Sequence, residues 1–274
     1  MSKVAFATCV KLGRSCIEAI YESGGKFDLL ITLNDEKNKD KSGRIYLDDI
    51  SEKYNVPLLK INNINDSEVI KTLKLHDIDW LFIIGWSQIA HKELLDTPTF
   101  GCIGMHPTLL PKGRGRASIP WAILKGLNET GVTLFKLDEG VDTGDIIGQG
   151  IIPIEKNTNA TVLYDKVNEM HVQLIKKHWN DIINGDVELV KQNNEIATEW
   201  PGRKPEDGKI TSDMTIDEAD KLIRAVTHPY PGAFYIDGVK KIVIWSADFD
   251  IEKGMIKLKE GYINPIEYEV IDNE

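Results

Sequence analysis

The chain is 274 residues long, enough for one large domain with a small appendage, and its 42% hydrophobic and 28% charged residues are those of an ordinary folded protein. Its 43 acidic against 33 basic residues give a formal net charge of −10, which counts against a chain that grips nucleic acid through a broad basic face. No apolar run approaches the roughly 20 residues of a membrane span, the first residues begin as a strand rather than as a signal peptide, and the three cysteines contain no Cys-x-x-Cys pair. A cytoplasmic chain is expected, with Cys9, Cys16 and Cys102 as small buried side chains rather than disulfide or zinc ligands.

In chain order, residues 4–10 read as a buried strand and 15–23 as a helix closed by two glycines. Residues 27–33 form a second, mostly apolar strand, as in a parallel sheet covered on both faces. The run 34–42 is polar and charged and reads as a solvated loop. A helix at 46–54, a strand at 58–61, a helix at 66–75 and a strand at 80–84 continue the alternation, which predicts an α/β fold with a doubly wound, mainly parallel sheet. No Gly-x-Gly-x-x-Gly turn follows the first strand, so a nicotinamide-type dinucleotide is not indicated. Trp86, in the loop after residue 84, has two readings: stacking on a flat ligand, or packing in the core.

Residues 102–148 hold most of the chemistry. A strand at 100–105 delivers His106 to its end, because the residue before Pro107 is pushed out of the helical region. A glycine-containing loop follows, then a helix at 119–125 stopped by Gly126. A strand at 131–137 empties into Asp138-Glu139-Gly140-Val141-Asp142-Thr143-Gly144. His106 and Asp142 thus each stand at or just past the carboxyl end of a strand, the edge where open α/β sheets hold ligands. An imidazole there can exchange a proton near neutral pH, and a carboxylate beside it can fix its tautomer and stabilise its charged form. Spacing alone would leave such a pair more often incidental than functional.

Residues 146–154 read as a strand antiparallel to 131–137. Asn159 caps a long amphipathic helix at 160–183, ended by Gly185, with Leu163, Val167, Met170, Leu174 and Ile175 on one face. His171 and His178 lie on it without converging acids or cysteines, and read as packing or surface residues rather than metal ligands. Turn formers at 200–208 mark a boundary between residues 1–199 and a smaller module, 200–274. There a helix at 216–226 precedes strands at 234–236, 241–245, 255–258 and 266–271.

Taken together, Gly104-Met105-His106, Pro107-Thr108-Leu109-Leu110-Pro111, Thr130-Gly131-Val132-Thr133 and Asp142-Thr143-Gly144 resemble the signature of the 10-formyltetrahydrofolate-dependent formyltransferases. That signature is Asn-x-His with a Leu-Leu-Pro loop, a Thr-Gly-Val-Thr strand and Asp-x-Gly. The run from Gly113 to Trp121 looks most like the branch that formylates nucleotide-linked amino sugars, and Arg203-Lys204-Pro205-Glu206-Asp207-Gly208 with His228-Pro229-Tyr230-Pro231-Gly232-Ala233-Phe234 resembles the family's carboxyl-terminal module, here shortened. The resemblance implies a Rossmann-like catalytic domain with a β-rich, OB-like module. It implies N10-formyltetrahydrofolate as co-substrate and the amine of a nucleotide-linked amino sugar as acceptor, in surface glycan biosynthesis, with no nucleic acid or membrane partner; a homodimer is what the sugar branch suggests.

Carried over residue by residue, it makes His106 and Asp142 the catalytic pair, with Gly104 beside them. Gly85, Trp86, Ser87, Gln88, Ile89, Leu110, Arg114, Asp138, Gly140 and Val141 would face the folate; Thr108, Arg116, Arg203, Lys204, His228 and Tyr230 would face the acceptor; no metal is required. One departure matters. The family's asparagine falls on Gly104, which has no side chain to donate to the formyl oxygen, a loss worth about 3–4 kcal/mol of transition-state stabilisation. A protonated His106, a backbone N–H, Ser87 or Gln88 are candidate replacements. Two other readings stay open: transfer to methionyl-tRNA or another acyl transfer on the same fold, and a folate- or nucleotide-binding protein whose catalysis lapsed with the asparagine.

Overall fold

The computed structural model describes residues 2–36 and 43–272, so the expected loop at 34–42 lies, from residue 37 on, outside the described residues. Strand β1 (Val4–Ala7) sits near the middle of a seven-stranded sheet that also contains β2 (Leu29–Leu33), β3 (Leu58–Ile61), β4 (Trp80–Ile83) and β5 (Gly101–His106). These five run parallel in the order β3-β2-β1-β4-β5. Helices α1 (Lys11–Glu22), α2 (Asp48–Tyr54), α3 (Ser67–Leu75) and the short α4 (Lys92–Leu95) connect them.

Successive strand side chains point to opposite faces, and the core divides accordingly. On one face, Ala5, Ala7, Leu29, Ile31, Leu81 and Ile83 pack with Val69, Ile70 and Leu73 of α3 and with Leu94 and Leu95 of α4. On the other, Phe6 stacks on Phe82 at 5.7 Å between ring centroids, and Trp179 closes over Phe82 at 5.9 Å and Phe27 at 5.3 Å. Strand β1 is four residues rather than the expected seven, and α1 starts earlier, at Lys11. Four residues make less than two helical turns, too few for the periodicity that reveals longer helices, so α4 carried no sequence signal.

The sheet changes direction at β5. After a two-residue strand β6 (Arg114–Gly115) and helix α5 (Ser118–Leu124), strand β7 (Glu129–Lys136) pairs antiparallel to β5, with His106 opposite Thr133 and Ile103 opposite Lys136. Strand β8 (Ile146–Pro153) follows, antiparallel to β7 as expected: Lys136 N donates to Asp145 O and Ile154 N to Asn128 O. The carboxyl end of β7 therefore lies at the opposite edge from His106. The acidic loop between β7 and β8 reaches His106 only by folding back across the sheet. Gly144 allows this, because a Cβ there would lie 1.8 Å from Lys136 O. Helix α6 (Ala160–Asn184) leads to a short strand β9 (Glu199–Trp200), which pairs with β6.

Two compact units result. The first takes in Met1–Arg114, Gly131–Ile152 and Val167–Glu199; the second takes in Gly115–Thr130, Pro153–Lys166 and Trp200–Glu274. In the second unit, α7 (Ile216–Val226) begins at a reciprocal cap: Thr215 Oγ1 accepts from Glu218 N while the Glu218 carboxylate accepts from Thr215 N. Its buried face, with Leu222, Ile223 and Val226, packs within a β-rich module formed by β10 (Ala233–Asp237), β11 (Lys240–Asp250), β12 (Ile256–Lys257) and β13 (Tyr262–Asp272), antiparallel in the order β10-β11-β13-β12. The strands β11 and β13 are each 11 residues, longer than expected, because a register shift at Ser246 breaks the alternation that a strand reading follows.

Candidate active site

His106 ends β5 and is 7% exposed. Its Nε2 lies 2.7 Å from Gly113 O. A carbonyl only accepts, so this nitrogen carries a proton and donates. The other ring nitrogen, Nδ1, faces Asp142 Oδ2 at 3.4 Å. Acceptors thus stand opposite both ring nitrogens.

The loop after His106 is fixed by a buried polar network. Thr133 Oγ1 donates to Thr108 O at 2.7 Å and accepts from Leu110 N at 3.0 Å and from Gln149 Nε2 at 2.8 Å; Gln149 Nε2 also donates to Leu110 O at 2.8 Å. Thr108 is buried, and its hydroxyl has no hydrogen-bond partner among the described residues. The Leu110–Pro111 peptide is cis. On the acidic loop, Asp138 Oδ1 accepts from Gly140 N and Thr143 Oγ1, which curls the loop back, and Asp142 is held at φ +56°, a left-handed conformation that a non-glycine residue adopts at a cost. Val141 is 50% exposed at the loop's tip.

The other folate candidates divide into two kinds. Gln88 is committed to structure: Oε1 accepts from Ile64 N and Trp86 Nε1, and Nε2 donates to Asn62 O, so its amide is not a free replacement for the missing asparagine. Trp86 packs against the core cluster beneath the sheet, which favours the core reading of that ring. Gly85 has φ +67°, Ser87 lies between it and Gln88, and Ile89 is 62% exposed. Arg114, in turn, is 6% exposed and spends its guanidinium on Gln192 and Asn194. A cleft of about 550 Å³ adjoins the acidic loop, lined by Lys92, Leu95, Phe100, Lys136, Leu137 and the loop's Asp138 to Gly140. Gly104 lies beside Leu137: a Cβ added at 104 would stand 2.7 Å from Leu137 Cδ2. The end of that leucine side chain would have to shift to admit a Cβ.

The structure thus brings Gly104, His106, Thr108, Leu110, Arg114, Asp138, Gly140, Val141 and Asp142 into the first unit. The remaining acceptor candidates belong to the second. There Arg116 is exposed beside Gly202, Arg203 lies 5.1 Å from the Trp121 ring centroid, and Lys204 N donates to Asp207 Oδ2. His228 stacks on Trp245 and faces Glu267, while burial pushes the Tyr230 hydroxyl's pKa up. Burial likewise holds the thiol of Cys102 up at about 12, and all three cysteines are buried and outside any disulfide. No group that could hold a metal occurs among the described residues, and no helix among them is long and apolar enough to cross a membrane. Sequence reading missed Thr133 and Gln149 as supports of the His106 loop, and Gln192, whose only signal is a polar run just before β9.

A doubly wound α/β domain that sets one buried imidazole against one carboxylate has the fold and the paired groups of a site able to move a proton. The chain belongs to the formyl transferase family: residues 11–178 match the family's model described as formyl transferase, and residues 203–264 match its C-terminal domain. It is a formyl-transferring enzyme, and the donor is N10-formyltetrahydrofolate. Among relatives, a methionyl-tRNA formyltransferase from Agathobacter rectalis is 32% identical over 234 residues, covering 84% of this chain and 75% of that protein. Among solved structures, an N-formyltransferase from Helicobacter canadensis, in complex with folinic acid and dTDP-3-aminofucose, is similar with a TM-score of 0.73 at 23% identity over 100% of this chain and 99% of that one. A methionyl-tRNA formyltransferase from Clostridium thermocellum is similar with a TM-score of 0.65 at 21% identity, over 99% and 100%.

Proposed function

We propose that the formyl acceptor is the primary amine of a nucleotide-linked amino sugar, with His106 and Asp142 as the catalytic pair. The unprotonated amine attacks the formyl carbon on N10, a tetrahedral oxyanion forms, and its collapse breaks the carbon–N10 bond. The proton lost by the amine passes to N10 by way of His106, and the Asp142 carboxylate stabilises the imidazolium formed between the two transfers. The exposed Val141 on the acidic loop offers an apolar contact for a flat heterocycle.

The observation that carries the choice of acceptor is charge. The segment 200–274 has 10 lysines and arginines against 15 aspartates and glutamates, a surface that repels a polyphosphate backbone, while a small anionic acceptor needs only a few arginines such as Arg116 and Arg203. Transfer to methionyl-tRNA is the second reading, favoured by the relatives at 32% identity and similar names among them. The test incubates the protein and N10-formyltetrahydrofolate with a panel of nucleotide-linked amino sugars, dTDP-3-aminofucose among them, and with methionyl-tRNA. A product heavier by roughly 28 daltons, the CO added by acyl transfer, is expected on a sugar. Formylation of the tRNA alone would replace this reading with the second, and His106→Ala or Asp142→Ala retaining full activity would remove the pair from the mechanism.

A further inference from the structure

Gln192 lies 50 residues beyond Asp142, in a stretch outside both family matches. All the hydrogen-bonding capacity of its amide is directed at the site. Nε2 donates to Asp142 O at 2.9 Å and to Gly144 O at 2.7 Å, and Oε1 accepts from Arg114 Nη2 at 2.7 Å and Nε at 3.2 Å. Arg114 follows Gly113 directly, and Gly113 O is the acceptor for His106 Nε2. The contacts therefore close a ring: His106 to Gly113, on to Arg114, to Gln192, to Asp142, and back to His106 through the carboxylate. Asp142 is held in a left-handed conformation that has to be imposed by its surroundings, and Gln192 grips carbonyls on both sides of Thr143. Arg114 in turn is anchored from the same segment, where Asn194 Oδ1 accepts from Nη2 and Thr198 O accepts from Arg114 N.

We propose that Gln192 is a positioning residue, tying the acidic loop to the His106 loop and so setting where the Asp142 carboxylate stands relative to Nδ1. The proposal rests on the reading of His106 and Asp142 as the catalytic pair. Gln192→Glu is the sharp variant: it is nearly isosteric and keeps an acceptor for Arg114, but it loses both donated hydrogens and sets oxygens against two carbonyls. A displacement of about 1 Å in such a site costs up to roughly 100-fold in rate.

With N10-formyltetrahydrofolate and the amine that reacts in the panel above, kcat is expected to fall by roughly 10- to 100-fold in Gln192→Glu and Gln192→Ala, with the KM for folate little changed. A loss of folded enzyme would instead lower the amount of active protein without opening the contact between Nδ1 and Asp142. A crystal structure of Gln192→Glu gives a readout that needs no turnover: the 3.4 Å contact between Nδ1 and Asp142 is expected to open. If that contact persists, or if Gln192→Glu keeps wild-type kcat while His106→Ala and Asp142→Ala are inactive, the positioning role is overturned and the catalytic pair stands. If His106→Ala and Asp142→Ala stay active, the failure lies with the pair itself.

Discussion

At the scale of single residues, the most consequential position is Gly104. Its Cα faces Leu137, whose Cδ2 would lie 2.7 Å from an added Cβ, and Phe135 Cε1 would be 3.5 Å away. Placing asparagine there does not simply restore an amide donor; it first has to evict the end of a leucine side chain. Gly104→Asn is therefore expected to lower formyl transfer, by roughly 10-fold or more for a misplacement approaching 1 Å. Leu137→Ala in the same chain is expected to recover part of the loss by opening the space, and the two variants assayed singly and together measure the coupling. A large gain from Gly104→Asn alone would show instead that the site lapsed when the asparagine was lost. His106 needs no such rearrangement, since one ring nitrogen is already tied to Gly113 O and the other faces Asp142.

At the scale of elements, helix α6 brings a second imidazole beneath the site. His171 is buried, its Nδ1 donates to Val167 O at 2.8 Å, and burial chiefly, with His106 adding to it, holds its pKa down at about 4 against the Val167 bond. The unfolded chain binds a proton at this residue near pH 6.5, while the folded chain does so only near pH 4. Unfolded protein thus takes up more protons in that interval, so stability is lost as pH falls from 6.5 toward 4. Between pH 6.5 and 5 the loss from this residue approaches about 2 kcal/mol. Thermal unfolding of wild type and His171→Gln across that range should show the steeper decline in wild type; parallel curves would mean the imidazole is not kept neutral. The strands meanwhile hold the His106 loop through Thr133 and Gln149, which replace missing backbone partners in the stretch after His106.

At the scale of the whole molecule, charge separates the acceptors. RNA binding neutralises phosphates and releases counterions, so its affinity falls steeply with salt, by roughly 10³-fold between 50 and 200 mM for six or more phosphate contacts. An amino sugar carrying two phosphates at most loses far less. The KM for the acceptor is expected to change by less than about 10-fold over that range, and a change of 100-fold or more would point to a polynucleotide.

The sequence by itself determined the elements and the chemistry carried by local strings. Apolar strands alternating with helices foretold the doubly wound sheet, the proline after His106 placed that residue at a strand end, and Asp142 stood out in a short acidic, glycine-bearing loop. Tertiary structure alone decided that β7 runs against β5, so that the acidic loop must return across the sheet, and that the end of Leu137 stands beside Gly104. It also decided that Gln192 joins Arg114 to Asp142. The physical reason is range. Periodicity, turns and pre-proline restriction act between neighbours in the chain, whereas a packed side chain or a hydrogen bond across 50 residues exists only once the fold has brought its two ends together.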